Sequence, residues 1–120
     1  MKPVWIVDDD QSIRWVLEKA LQRENMPYRS FSNPQDVLDA FDRGEQPQVL
    51  ISDIRMPRGN GIDLLQQVKA EHPNVPVIIM TAYSDLDSAV SSFQGGAFEY
   101  ITKPFDIAKS VELIRRAVDE

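Results

Sequence analysis

The sequence predicts an α/β domain in which five parallel strands lie in the order 2-1-3-4-5 with helices on both faces of the sheet. Three observations carry this expectation. Short apolar runs alternate five times with stretches of helical period along the 120 residues, the pattern of successive βα units. The first, third and fourth runs (Val4-Trp5-Ile6-Val7, Val49-Leu50-Ile51 and Val77-Ile78-Ile79-Met80) are unbroken, as strands covered on both faces must be. The second and fifth (Tyr28-Arg29-Ser30-Phe31 and Phe98-Glu99-Tyr100-Ile101) contain polar residues and belong at the edges. The competing order 3-2-1-4-5 would bury the polar second strand.

Each element has a local reason. The first strand ends at Asp8-Asp9-Asp10. Ile13, Val16, Leu17, Ala20 and Leu21 then recur at spacings of three and four, a helix starting near Ser12 that Asp10 caps and Pro27 stops. After the second strand, Asn33-Pro34 reads as an N-cap followed by proline at the first helical position. The helix turns Val37, Leu38 and Phe41 inward and ends at Gly44. Pro47 and Pro57 bracket the third strand, so Asp53 is expected just past its carboxyl end. Pro57-Arg58-Gly59-Asn60-Gly61 reads as a turn-rich loop, with Asn60 capping a third helix that carries Leu64, Leu65 and Val68 and ends at His72-Pro73. The fourth strand ends on Thr81-Ala82. A fourth helix carries Leu86, Ala89, Val90 and Phe93 and closes at Gly95-Gly96. The fifth strand ends at Thr102-Lys103-Pro104, and the last helix is expected to bury Ile107, Val111, Ile114 and Val118. The whole is a flavodoxin-like (βα)5 three-layer sandwich, with residues 1–120 forming one domain.

Composition narrows the function. A net charge of −6 argues against a nucleic-acid-binding surface. No apolar run approaches the roughly 20 residues that span a membrane. With no cysteine there is neither a disulfide frame nor thiol chemistry. The amino terminus lacks a signal-peptide layout, which makes a cytoplasmic location the default expectation.

The chemistry lies at the carboxyl ends of the strands: Asp8 and Asp9 after the first, Asp53 after the third, Thr81 after the fourth and Lys103 after the fifth. In order 2-1-3-4-5 the first and third strands are neighbours and the winding reverses between them, the crevice in which open α/β sheets bind ligands. An aspartate after a strand is often only a turn former or cap. Here Ile54-Arg55-Met56-Pro57 intervenes before the next helix. Three gathered carboxylates repel, and a divalent cation relieves that cost; all-oxygen ligands suit Mg²⁺. The single histidine, His72, makes no zinc site. Thr81 offers a hydroxyl with small Ala82 beside it, and Lys103 a mobile ammonium. Together these describe a carboxylate nucleophile with a metal and a counter-cation, as phosphoryl transfer requires.

Asp8-Asp9, Asp53 within Ser52-Asp53-Ile54-Arg55-Met56-Pro57, Met80-Thr81-Ala82, Gly96-Ala97 and Lys103-Pro104-Phe105 resemble, in order and along the whole chain, the receiver domains of two-component response regulators. Asp10 to Glu18 and Ser84 to Val90 carry a narrower likeness to the nitrogen-regulation type of enhancer-binding activator. The resemblance implies that Asp53 accepts a phosphoryl group from a phosphohistidine on a sensor histidine kinase. Asp9, Asp53 and the backbone carbonyl of Arg55 would bind Mg²⁺ directly, and Asp8 largely through water. Thr81 and the Ala82 amide would receive the phosphoryl oxygens. Thr81 and Tyr100 would then shift the face made by the fourth helix, fifth strand and fifth helix, with the serine-rich fourth helix as the element that moves.

By the same resemblance the domain signals rather than acting as an enzyme, catalysing only its own phosphorylation and dephosphorylation. Implied partners are the kinase, a second copy or higher oligomer on activation, and downstream ATPase and DNA-binding domains that regulate transcription. No direct contact with nucleic acid or membrane is implied for this domain. The chain departs from the family pattern at Arg58-Gly59, where many relatives place glycine first, and at Asn60, where aspartate is frequent. Two other readings stay open. A haloacid-dehalogenase-like phosphatase also uses an aspartyl phosphate and Mg²⁺, but with an Asp-x-Asp pattern and then a small hydroxyl residue; residues 8–12 read Asp-Asp-Asp-Gln-Ser. A receiver-shaped interaction module that is never phosphorylated would be suggested by loss of a site residue, yet Asp8, Asp9, Asp53, Thr81 and Lys103 are all present.

Overall fold

The structure, a computed structural model, describes residues 2–56, 59–82, 99–103 and 107–119. Among these residues one parallel sheet runs through the molecule, formed by β1 (Val4–Val7), β2 (Tyr28–Phe31), β3 (Val49–Asp53), β4 (Val77–Ala82) and β5 (Glu99–Lys103). The spatial order is β2-β1-β3-β4-β5, as the run of apolar and mixed strands predicts. Every residue of β1 and β3 is buried, whereas edge strand β2 exposes Arg29.

Alternation along the strands sends side chains to opposite faces and so builds two cores. Trp5, Val7, Leu50, Val77 and Ile79 face α2 (Pro34–Asp42) and α3 (Gly61–Glu71), meeting Val37, Phe41, Leu64, Leu65 and Val68. Val4, Ile6, Val49, Ile51, Ile78, Met80 and Ile101 face α1 (Gln11–Arg23) and the last helix, Ile107–Asp119, meeting Leu17, Leu21, Leu113, Ile114 and Ala117. Each fully buried side chain of this size contributes about 1.5–3 kcal/mol, so packing, more than helix propensity, fixes where the helices lie. Trp5 anchors the first core edge-on to Phe31, at 5.1 Å between centroids, and against Phe41 at 4.9 Å. His72 stacks on Phe41 at 4.2 Å and is thus a packing residue.

The caps of α1 and α2 follow the sequence. The Asp10 carboxylate accepts from the Ser12 N–H at 2.8 Å, and the Asn33 side-chain oxygen from the Asp36 N–H at 2.9 Å. Gly44 ends α2 with φ +88, a backbone conformation in which a Cβ is strained.

Three expectations need correction. Pro27 does not stop α1, which already ends at Arg23; Asn25 turns the chain with φ 56, and the Met26 N–H closes back onto the Leu21 carbonyl at 3.0 Å. The last helix buries Ser110, Leu113, Ile114 and Ala117, with Val111 and Val118 only half-buried, because it leans on the sheet along a neighbouring stripe. β3 continues through Ser52 and Asp53, so Asp53 is the final residue of the strand. The predicted fourth helix (Leu86, Ala89, Val90, Phe93) lies outside the described residues, as do Pro57 and Arg58.

Candidate functional site

Strand register builds the site. Val7 and Ser52 are partners across β1 and β3, so Asp8 and Asp53 follow them at one level on adjacent strands. β4 sets Met80 beside Asp53 and Thr81 one step beyond, and β5 sets Lys103 beside Ala82. The sequence-predicted residues thus share one sheet edge. Carboxylate oxygens of Asp8, Asp9 and Asp53 lie within 4.8 Å of one another. Asp8 is fully buried, Asp53 keeps 8% of its surface exposed, Thr81 is buried, and Asp9 stands in solvent. Lys103 and Tyr100 are placed by their backbones in β5.

Backbone and side-chain contacts hold this edge in shape. The Asp8 N–H donates to the Phe31 carbonyl at 3.1 Å, and the Asp8 carboxylate accepts from the Asp10 N–H at 2.9 Å. The Arg14 guanidinium reaches back from α1 and donates to the Asp8 carbonyl at 2.5 Å. On the other strand, the buried Ser52 hydroxyl donates to the Asp53 carbonyl at 3.0 Å. The Ile54 N–H continues the sheet to the Met80 carbonyl at 3.1 Å, and the Gly61 N–H donates to the Ile54 carbonyl at 2.7 Å. A Cβ at Gly61 would stand 2.0 Å from the Asp53 carbonyl oxygen, so glycine is required there. Between them, Arg55–Met56 pairs antiparallel with Gly59–Asn60, and this ladder fixes the backbone that carries the Arg55 carbonyl.

Arg14, Ser52 and Gly61 were not among the residues singled out from sequence. Each left a signal: a serine breaking an apolar run next to Asp53, an arginine four residues after the helix cap, and a glycine in the Asn-Gly pair that opens α3.

The acidic cluster fits a hard divalent cation. Two charges 4.8 Å apart repel by roughly 3.5 kcal/mol at an effective dielectric constant of about 20, a cost that a divalent ion offsets. Octahedral Mg²⁺ holds oxygens at about 2.0–2.1 Å, which puts opposite ligands about 4.2 Å apart; a spread of 4.8 Å is close enough for direct and water-mediated ligands together. The absence of nitrogen or sulfur donors in the cluster favours Mg²⁺ over zinc.

The family model of the response regulator receiver domain matches residues 4–115. The chain belongs to the response regulator receiver family. This receiver is 57% identical over 115 residues to the DNA-binding transcriptional regulator NtrC of Proteus hauseri, an alignment covering 96% of the receiver and 24% of that protein. It therefore spans about a quarter of the length of the curated relatives it matches. Among solved structures it is similar to the apo receiver domain of nitrogen regulatory protein C, with 54% identity, a TM-score of 0.88, and 98% and 94% of the two chains covered. The BeF3-activated form of that domain gives 54% identity and a TM-score of 0.83, over 99% and 97% of the chains. Among the described residues of the receiver, no helix is long and apolar enough to cross a membrane.

Proposed function

We propose that residues 1–120 form one receiver domain that takes a phosphoryl group onto Asp53 from a phosphohistidine of a sensor histidine kinase. The observation that supports this best is the clustering of Asp8, Asp9 and Asp53 within 4.8 Å, with Asp53, largely buried, at the end of a central strand and beside solvent-exposed Asp9. An Asp53 carboxylate oxygen attacks phosphorus, the phosphorus–nitrogen bond to the kinase imidazole breaks, and the imidazole leaves with its electron pair and takes up a proton. Asp9, Asp53 and the Arg55 carbonyl, with Asp8 through water, would hold Mg²⁺, which would supply positive charge to offset the phosphoryl oxygens. The Thr81 hydroxyl and the Ala82 amide donate to those oxygens, and the Lys103 ammonium balances the remaining charge. Tyr100 follows the movement of Thr81 and carries the change to the face of β5 and the last helix, together with the fourth helix expected from sequence.

The domain itself turns over no external substrate. Its similarity to proteins named as DNA-binding transcriptional regulators, of which it spans a quarter, supports an output through ATPase and DNA-binding domains of a longer, cytoplasmic protein. Phosphorylation drives association with a second copy or a higher oligomer. The net charge of −6 supports DNA contact being made by those other domains.

Incubation with a small phosphodonor and Mg²⁺, followed by intact-mass measurement, tests this reading. One acid-labile phosphoryl group is expected on the wild type and none on Asp53→Asn. An adduct that forms equally well on Asp53→Asn, or with all divalent ions chelated, overturns it.

A further inference from the structure

The segment that presents Asp8 and Asp9 is packed at its two ends, by buried Asp8 and by half-buried Ile13 against the core, while Asp9 to Ser12 between them are exposed. Between those ends it is held by a chain of polar contacts. The Asp10 N–H donates to the Asp8 carboxylate, and the Asp10 carboxylate receives the Ser12 N–H. From outside the turn, the Phe31 carbonyl of β2 receives the Asp8 N–H, and the Arg14 guanidinium donates to the Asp8 carbonyl at 2.5 Å. That carbonyl belongs to the peptide joining Asp8 to Asp9, so the bond acts on the link between the two acids. A charged donor on a neutral acceptor is among the stronger hydrogen bonds, and here it is partly buried.

We propose that Arg14 is a positioning residue for the divalent-cation site: by holding the Asp8 carbonyl it sets the direction in which Asp8 and Asp9 present their carboxylates. The inference rests on the metal reading proposed above and adds to it a residue that touches neither ion nor phosphoryl group. Two effects of opposite sign meet at Arg14. As a nearby cation it repels Mg²⁺, so removing it would tighten binding by charge alone. As a clamp it preorganises the acids, so removing it loosens binding, and residues that orient ligands are typically worth 10- to 100-fold in metal affinity. The clamp prevails, because the guanidinium is bonded to a carbonyl facing α1 and its charge is shared with the open crevice it lines beside Arg29, Ser30 and Asp36.

The test is a titration with Mn²⁺, which accepts the same oxygen ligands; free ion is counted by its EPR signal and bound ion is displaced with Mg²⁺. Arg14→Met keeps the length of the side chain and removes its donors; because Arg14 lines a solvent-open crevice, the fold is expected to survive, which thermal melting checks. Arg14→Met is expected to weaken Mn²⁺ and Mg²⁺ binding about tenfold, and Arg14→Lys, which retains a donor and the charge, to recover part of that loss. Gly44→Ala, strained at a distant turn, is expected to melt earlier with unchanged ion affinity, which separates positioning from general instability. Affinity for Arg14→Met equal to or tighter than the wild type overturns the role of Arg14 and leaves the metal reading standing. A wild type that retains no Mn²⁺ overturns both.

Discussion

Gly61→Ala offers the sharpest test of how the acceptor is held. The added Cβ would lie 2.0 Å from the Asp53 carbonyl oxygen, 2.9 Å from its carbon and 3.0 Å from the Ile54 Cα. Moving from 2.0 Å to ordinary contact at 3.4 Å requires helix and strand to part by about 1.4 Å, and every opposing atom is backbone. No side chain can swing aside. Overpacking of this kind costs about 1–3 kcal/mol, and loss of the Gly61 to Ile54 hydrogen bond adds about 1 kcal/mol. A total near 3 kcal/mol corresponds to a fall in Tm of roughly 10 °C for a chain of this size. The same displacement moves the Asp53 backbone and loosens the Ser52 hydroxyl from its carbonyl. Misplacement by about 1 Å can cost on the order of 100-fold in a reaction that depends on alignment. The assays are thermal melting and the rate of phosphorylation by a small phosphodonor, read by intact mass. A variant that melts within about 3 °C of the wild type and phosphorylates at the same rate would refute the argument.

Three further outcomes are expected. Gly44→Ala meets no atom within 4 Å but must adopt φ +88, so it should lose about 1–2 kcal/mol in a melting experiment while phosphorylating normally. With divalent ions chelated, Asp53→Asn should melt above the wild type, because one of three mutually repelling charges is gone. Added Mg²⁺ should raise the wild-type Tm, by the equivalent of about 1.4 kcal/mol at ten times its Kd, and raise that of Asp53→Asn less. The hydrogen bond from Arg29, then the charges of Arg29 and Arg43, hold the Glu45 carboxyl below its ordinary 4.5. A depressed acid stabilises the fold above the unfolded value and ceases to do so as pH falls through the folded one, so the small Tm advantage over Glu45→Gln should be present at neutral pH and fade below about pH 4.5.

Much of this was legible in the sequence because strand burial writes itself into composition. Unbroken apolar runs at Val4, Val49 and Val77 marked the interior strands, and order 2-1-3-4-5 followed from them. That order alone set Asp8 beside Asp53. Local cap chemistry was equally plain at Asp10 and Asn33. Helix ends and faces were less so: the left-handed turn at Asn25 leaves a weaker mark than Pro27, and one apolar stripe on the last helix looks much like its neighbour. Arg14 and Gly61 escaped notice for a different reason. Their importance lies in contacts with backbone atoms of other segments, which no pattern of side-chain types records.

The pairing of Val7 with Ser52 has a consequence for how the molecule assembles. Asp8 and Asp53 belong to segments 45 residues apart, positions 8 and 53, and meet only once the parallel crossover between β1 and β3 has closed. A chain still searching for that pairing has nothing with which to grip an ion, and such non-local closure comes late and slowly. A divalent cation held at the proposed site would therefore act as a latch on the finished topology: it would lengthen the lifetime of the native state and leave the speed of refolding unchanged.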